Sequence, residues 1–207
     1  MGTARHSVRA SRAQGSASRQ AILDAASRAF ATSDLSGVSV SQIASAADVF
    51  PSQVTYYFGT KEALFVEAAC REVLRIASSV EAAGLEALDP ESYVRAIVGA
   101  ALADSGLLTF AEAMLLARRR DDLAPLIART FNRLHSEGAR AVSGTLRRHG
   151  WGLRTSPETE ARAFWATVIG VALERSARGD DFDPATAEAA VLLVLNLHGD
   201  STTKDAT

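Results

Sequence analysis

Three times the chain sets a hydrogen-bonding side chain directly before a proline: Asp89-Pro90, Ser156-Pro157 and Asp183-Pro184. Proline is tolerated in the first turn of a helix, where its missing N–H would have no intrahelical partner. Asp or Ser just ahead of it can accept one of the free N–H groups. Helices are therefore predicted to start near residues 90, 157 and 184. Apolar spacing adds two more, over about 107–119 and 125–149, with Gly150 closing the second.

The N-terminal part carries the same kind of signal in other forms. Ile22, Ala25, Ala26, Ala29 and Phe30 recur at helical spacing, predicting a helix over about 18–32. Ser39 stands three residues before Gln42, the spacing of a capping box. Val40, Ile43, Ala44 and Ala47 then line one face of a short helix over 40–46. Pro51 arrives too soon for that helix to continue. A turn over 47–50 and a new helix over about 51–57 follow. Thr60 can cap a long helix running to Ala83, with Gly84 as terminator. The fold class is all-α, with about nine helices.

Apolar residues make up 47% of the 207-residue chain, enough for a sizeable core. No stretch reaches the roughly 18 unbroken apolar residues of a membrane span. The richest, from Ala185 to Leu197, is interrupted by Thr186, Glu188 and Asn196. The N-terminus shows no apolar signal-peptide core. The single cysteine, Cys70, excludes an intrachain disulfide and suits a reducing cytoplasm. A cytoplasmic location, with no membrane partner, is the expectation.

Charge is unevenly placed on a chain of net charge −2. Up to residue 61 stand six basic residues, Arg5, Arg9, Arg12, Arg19, Arg28 and Lys61, against Asp24, Asp34 and Asp48. A basic head on an acidic body suits a polyanion held by the head alone, although charge by itself also fits a solvated tail. Residues 1–17 are rich in Ser, Ala, Gly and Arg and read as a disordered basic arm.

Two short helices joined by a tight turn can present the second to a DNA major groove. The stretch from Ile22 to Phe30, the run from Val38 through Val49, and the run Tyr56-Tyr57-Phe58-Gly59-Thr60-Lys61-Glu62-Ala63-Leu64-Phe65 together resemble the tetracycline-repressor (TetR) family of bacterial regulators. The resemblance covers about residues 18–66. It implies a homodimer whose two recognition helices each read half of a pseudo-palindromic operator on double-stranded DNA. It also implies a small molecule, bound in the body, that releases the DNA. Nucleoid association while on DNA would follow. The implied organisation is an arm over 1–17, a helix-turn-helix domain over 18–61, a helical ligand-binding and dimerisation domain over 62–200, and a disordered tail over 201–207.

Roles can be assigned within that frame. Ser39 and Ser41 open the helix over 40–46, where N–H groups can face a phosphate. Ser52, Gln53, Thr55 and Tyr56 lie on the recognition helix. A Gln amide can bond adenine and a Thr methyl can meet a thymine methyl. Tyr57 and Lys61 match positions that in the family touch the DNA backbone, contacts that fix register without specifying sequence. Three residues depart from the family pattern: Phe50 where Ser or Thr commonly caps, Pro51 where a polar or basic residue is common, and Thr55 in place of Tyr. Phe50 could pack as a staple with Ser52 taking over the cap, or could face DNA. The recognition helix holds no Arg or Lys, so bidentate reading of guanine is not expected from it. Arg9, Arg12 and Arg19 are expected to contribute salt-dependent affinity.

In the body, the helix with Phe164, Val168 and Val171 and the helix with Leu192 and Leu195 are apolar nearly all round, which suits burial on more than one side and a dimer interface. Tyr93, Ile97, Phe110, Met114, Phe131, His135 and Trp165 are candidates to line a largely apolar ligand cavity. An enzyme is disfavoured. The histidines His6, His135, His149 and His198 are dispersed, no metal-ligand spacing or glycine-rich phosphate loop occurs, and no cofactor is called for. The alternative from another class is a helical small-molecule carrier or adaptor without DNA activity.

Overall fold

The computed structural model describes residues 3–103, 105–195 and 197–198; for residues 3–13, 180, 184, 187, 188 and 198 it describes the backbone alone. The expected tail over 201–207 lies outside the described residues. Among these residues the chain forms nine α-helices. They are α1 (Thr3–Phe30), α2 (Val40–Ala46), α3 (Pro51–Phe58), α4 (Lys61–Gly84), α5 (Pro90–Ala101), α6 (Gly106–Ala117), α7 (Ala124–His149), α8 (Pro157–Arg178) and α9 (Pro184–Val194). The fold is all-α. Its extended structure is one antiparallel pairing of two residues each, β1 (Gly152–Leu153) with β2 (Leu197–His198).

The capping devices set the helix starts. The Asp89 carboxylate accepts from the Ser92 N–H at 2.8 Å, Ser156 Oγ from the Thr159 N–H at 3.2 Å, and Asp183 from the Ala185 N–H at 3.0 Å. The hydroxyl of Thr60 accepts from the Ala63 N–H at 3.1 Å ahead of α4. Each such cap is worth about 1 kcal/mol. One expected boundary differs. α1 begins at Thr3, so residues 3–17, expected as a disordered arm, continue the helix. Ala4, Ala10, Ala13 and Ala17 are strong helix formers, and no proline interrupts them.

The chain divides into two compact units. The first holds the described residues of Met1–Glu72 and Glu112–Ile127; the second holds those of Val73–Ala111 and Ala128–Thr207. Where the sequence suggests a boundary at 61/62, packing extends the first unit into α4 and adds a segment from the α6–α7 region. In the first unit Ile22, Ala26 and Phe30 of α1 are buried with Ile43 and Ala44 of α2 and Val54 and Phe58 of α3. Phe30 meets Phe65 of α4 edge-on, with ring centroids 5.0 Å apart. Burying side chains of this size stabilises by about 1.5–3 kcal/mol each. Arg19 adds a clamp: its Nη2 donates to both carboxylate oxygens of Glu67 at 2.5 and 2.6 Å, and its guanidinium lies 4.7 Å from the Phe58 ring centroid. Asp24 pairs with Arg71 alongside.

The second unit is built on Val94, Ile97 and Val98 of α5, Leu107 and Phe110 of α6, Leu134 of α7, Phe164, Trp165 and Val168 of α8, and Val191 of α9, all buried. Gly84 is required here. A Cβ at that position would stand 2.6 Å from Cε2 of Tyr93, closer than real Cβ atoms come to any neighbour.

Candidate DNA-reading face and ligand cavity

The reading face starts with how α2 and α3 are joined. The Ser39 N–H donates to Gln42 Oε1 at 2.8 Å and Ser39 Oγ accepts from the Gln42 N–H at 3.2 Å, completing the predicted capping box. α2 ends with the Ala47 N–H on the Ile43 carbonyl and the Val49 N–H on the Ala44 carbonyl, both at 3.0 Å. Between them Asp48 takes a left-handed conformation, φ 53°. Asp tolerates that region better than most residues, so the turn can be this short without a glycine. Pro51 then opens α3, and Gly59 at φ 74° ends it.

The helical repeat sorts α3 into two faces. Val54 and Phe58 point inward and are buried; Ser52, Thr55 and Tyr56 are exposed, as are Ser39 and Ser41 at the start of α2. Tyr56 is 82% exposed and Phe50 is 76% exposed. The choice left open at Phe50 is thereby resolved in part: its ring does not pack as a staple, and Phe50, not Ser52, occupies the N-cap. Phe50 has no side-chain oxygen to cap with, so only the return half of a capping box forms. Gln53 Oε1 accepts the Phe50 N–H at 3.0 Å. That half of the Gln53 amide is engaged inside the protein.

Two further candidates are held by internal contacts. Lys61 Nζ donates to the Leu35 carbonyl at 2.8 Å and to the Val38 carbonyl at 3.0 Å, leaving one of its three N–H groups. Tyr57 is half-buried, its hydroxyl 3.3 Å from where a Cβ on Gly15 of α1 would stand, and its ring is edge-on to Tyr56 at 5.1 Å. Arg19 is bound to Glu67, so it belongs to the packing of the first unit. The side chains of Arg9 and Arg12 lie outside the described residues.

The second unit contains a cavity of about 160 Å³. Of the candidate lining residues, Tyr93, Ile97 and Trp165 border it. Phe110, Phe131 and His135 do not. They form an aromatic chain of their own, with Phe131 5.4 Å from Phe110 and 5.6 Å from His135. Met114 belongs to the first unit. The expected dimer residues also divide differently. Phe164 and Leu195 line the cavity, and Val168 and Val171 are buried, while Leu192 is exposed. An apolar pattern all round a helix tells that every side is covered or coverable; it does not tell which side faces the chain's own core.

Burial pushes the Tyr93 phenol above its ordinary value of 10.0, against a hydrogen bond with Thr145 that acts the other way. Burial also holds the His135 imidazole below its usual 6.5, with Arg162 adding to the effect. Sequence reasoning names few of the lining residues, and among those it misses is the buried acid of the cavity. Glu160, 2% exposed, places a carboxylate in the lining. Its Oε1 accepts from the Thr155 hydroxyl, and its Oε2 is buried without a hydrogen-bond partner. In sequence it is one more acid in the first turn of a helix, where acids are ordinarily solvated.

Comparison with known proteins fits both units. A family of bacterial regulatory proteins, the tetR family, matches residues 22–68, and a bacterial transcriptional repressor C-terminal domain matches residues 90–194. The fold is similar to that of a candidate transcriptional regulator from Rhodococcus sp. RHA1, at 38% identity, with 86% of this chain and 93% of that one covered and a TM-score of 0.75. It is similar to a candidate TetR-family transcriptional regulator from Mesorhizobium loti MAFF303099, at 21% identity, 87% and 96% coverage and a TM-score of 0.66. It is also similar to the multidrug binding protein EbrR in complex with imidazole, at 28% identity, 86% and 89% coverage and a TM-score of 0.60. No curated protein sequence matches. With an N-terminal helix-turn-helix, a helical C-terminal domain and matches to both halves, the chain belongs to the tetR family of bacterial transcriptional regulators.

Proposed function

We propose that the chain is a ligand-responsive repressor that binds a pseudo-palindromic operator as a homodimer and is released by a small, largely hydrophobic molecule. It acts in the cytoplasm, on the nucleoid when bound, and catalyses no reaction. The observation that carries the reading is the two-faced α3: Val54 and Phe58 anchor it while Ser52, Thr55 and Tyr56 stand free beside the exposed Phe50. Ser39, Ser41, Tyr57 and the remaining N–H of Lys61 are assigned to the DNA backbone, and Gln53 Nε2 to a base edge.

The cavity supports a small-molecule effector, and so does the likeness to a multidrug binding protein. Dimerisation is assigned to the outward faces of α8 and α9, where Ala166, Gly170, Leu173, Leu192 and Leu193 are exposed. Leu193 is 82% exposed on a helix whose opposite side is buried at Val191 and Leu195. α4 contributes residues to both units, so its tilt can alter the spacing of two half-site readers, which DNA fixes at about 34–36 Å or a related separation. Switching from 1:99 to 99:1 requires a ligand that prefers the non-binding spacing by about 5.5 kcal/mol.

Selection of bound fragments from a random DNA pool, followed by gel shift against the selected site and the chain's own upstream DNA, tests the reading. A palindromic selected site bound by a dimer supports it. Absence of any sequence-selective shift at moderate salt would instead favour a helical carrier without DNA activity.

A further inference from the structure

The lining of the cavity contains one group that the protein leaves unsatisfied. Glu160 is buried, its Oε1 is taken by the Thr155 hydroxyl, and no donor reaches Oε2. A buried polar atom without a partner is costly, and more so when charged, so such an atom calls for an explanation. Glu160 lies in the first turn of α8, where the helix dipole favours a negative charge. Four other charged residues line the cavity, Glu81, Glu137, Arg140 and Arg148, two of each sign. Glu137 is paired with Arg133 at 2.8 Å and lies 3.8 Å from Arg140, and Arg148 donates to the Leu85 carbonyl at 3.5 Å. These charges are half-buried or exposed, so among the described residues Glu160 is the buried charge of the lining.

Around it the walls are apolar and aromatic: Tyr93, Ile97, Leu134, Phe164 and Trp165. Aromatic faces attract cations as well as apolar groups. A cavity of roughly 150 Å³ holds one benzene ring, so about 160 Å³ suits a single ring with a short arm. We infer that the cavity takes a small aromatic or apolar molecule carrying a protonated amine or related cationic N–H donor, whose charge is received by the Glu160 carboxylate, the enclosed Oε2 turning toward the ligand. This rests on the reading of the cavity as the effector site and gives that effector its chemistry. Recognition combines a hydrogen bond, a charge pair and ring contacts, so a neutral analogue satisfies the walls but not the carboxylate.

The test uses three probes of similar size, 2-phenylethylamine, 2-phenylethanol and phenylacetate, titrated into the full chain with calorimetry and tryptophan fluorescence. The expected order is amine, then alcohol, then acid, with the amine about tenfold tighter than the alcohol, as a charge-assisted hydrogen bond gives. Glu160→Gln should bring the amine down to the level of the alcohol, and Glu160→Asp should keep the order. An alcohol or acid that binds as tightly as the amine, an amine that does not bind, or a Glu160→Gln protein that keeps the preference would each overturn the assignment. If circular dichroism shows that Glu160→Gln does not fold, the ranking on the unaltered chain and on Glu160→Asp decides. The same amine is added to the protein–DNA complex in gel shift. Amine-selective binding that leaves DNA bound retains the site and removes the ligand-controlled reading. Release by other compounds with no amine preference does the reverse.

Discussion

Arg19 and Glu67 form a bidentate pair, at 2.5 and 2.6 Å, that ties α1 to α4 while the guanidinium covers the ring of Phe58 at the end of α3. One side chain thus touches three of the helices that hold the reading face. Both partners keep some solvent contact, which limits what the pair can contribute. Arg19→Ala should lower stability by about 1 kcal/mol, the pair and the ring contact together. It should leave the slope of log affinity against log salt unchanged, because a guanidinium committed to Glu67 releases no counterion from DNA. Thermal melts and salt titrations on the same variant check both halves.

Gly84 stands against Tyr93, and alanine there should destabilise although alanine is the better helix former. The added Cβ, 2.6 Å from the Tyr93 ring, must displace it, at a cost of about 1–3 kcal/mol. A denaturant midpoint that rises in Gly84→Ala would contradict this close approach.

His135 sets a pH dependence. Its folded value lies below the ordinary 6.5 because burial disfavours the imidazolium and Arg162 repels it. The unfolded chain therefore binds the proton more readily, and folding is favoured above 6.5 and loses stability as pH falls through 6.5 toward the folded value. Melting temperature followed from about pH 8 to about pH 5 should decline over that range, and His135→Gln should flatten the decline.

Phe50 and Tyr56 are exposed without supporting the core, so their removal should separate binding from folding. Phe50→Ala and Tyr56→Ala should each weaken binding to the selected operator about tenfold, roughly 1.4 kcal/mol. Stability should stay within about 0.5 kcal/mol of the parent, as for surface positions generally. Equal binding by both variants would remove the aromatic edge of α3 from the DNA contact.

On the outward face of α8 and α9, Gly170→Arg and Leu193→Glu should convert a dimer to a monomer, read by light scattering after size exclusion. Both positions are exposed in the single chain, so far-UV circular dichroism should hardly change. A variant pair that remains dimeric would move the interface elsewhere.

The starts of the capped helices were legible in the sequence because capping is a local interaction, whereas the start of α1, which has no cap signal, was not. Asp89, Ser156 and Asp183 bond to N–H groups two or three residues away, and no tertiary information is needed to see it. The faces of α3 were legible for the same reason. Long-range allocation was not. Lys61 reads as a free cation until the carbonyls of Leu35 and Val38, 26 and 23 residues away, are seen to occupy it. Phe164 and Leu195 carry the composition of an interface, yet they line a cavity. Glu160 was missed because a first-turn acid and a buried receptor for a cation are identical as letters; only Thr155 and the surrounding apolar walls distinguish them.

The Lys61 ammonium has a mechanical consequence. By holding the Leu35 and Val38 carbonyls it fastens the first turn of α4 to the loop that leads into α2. The opening turn of α4 and the start of the helix-turn-helix therefore travel together. Within the first unit the loop and the start of α4 therefore form one hinge-free piece, with little slack in the joint.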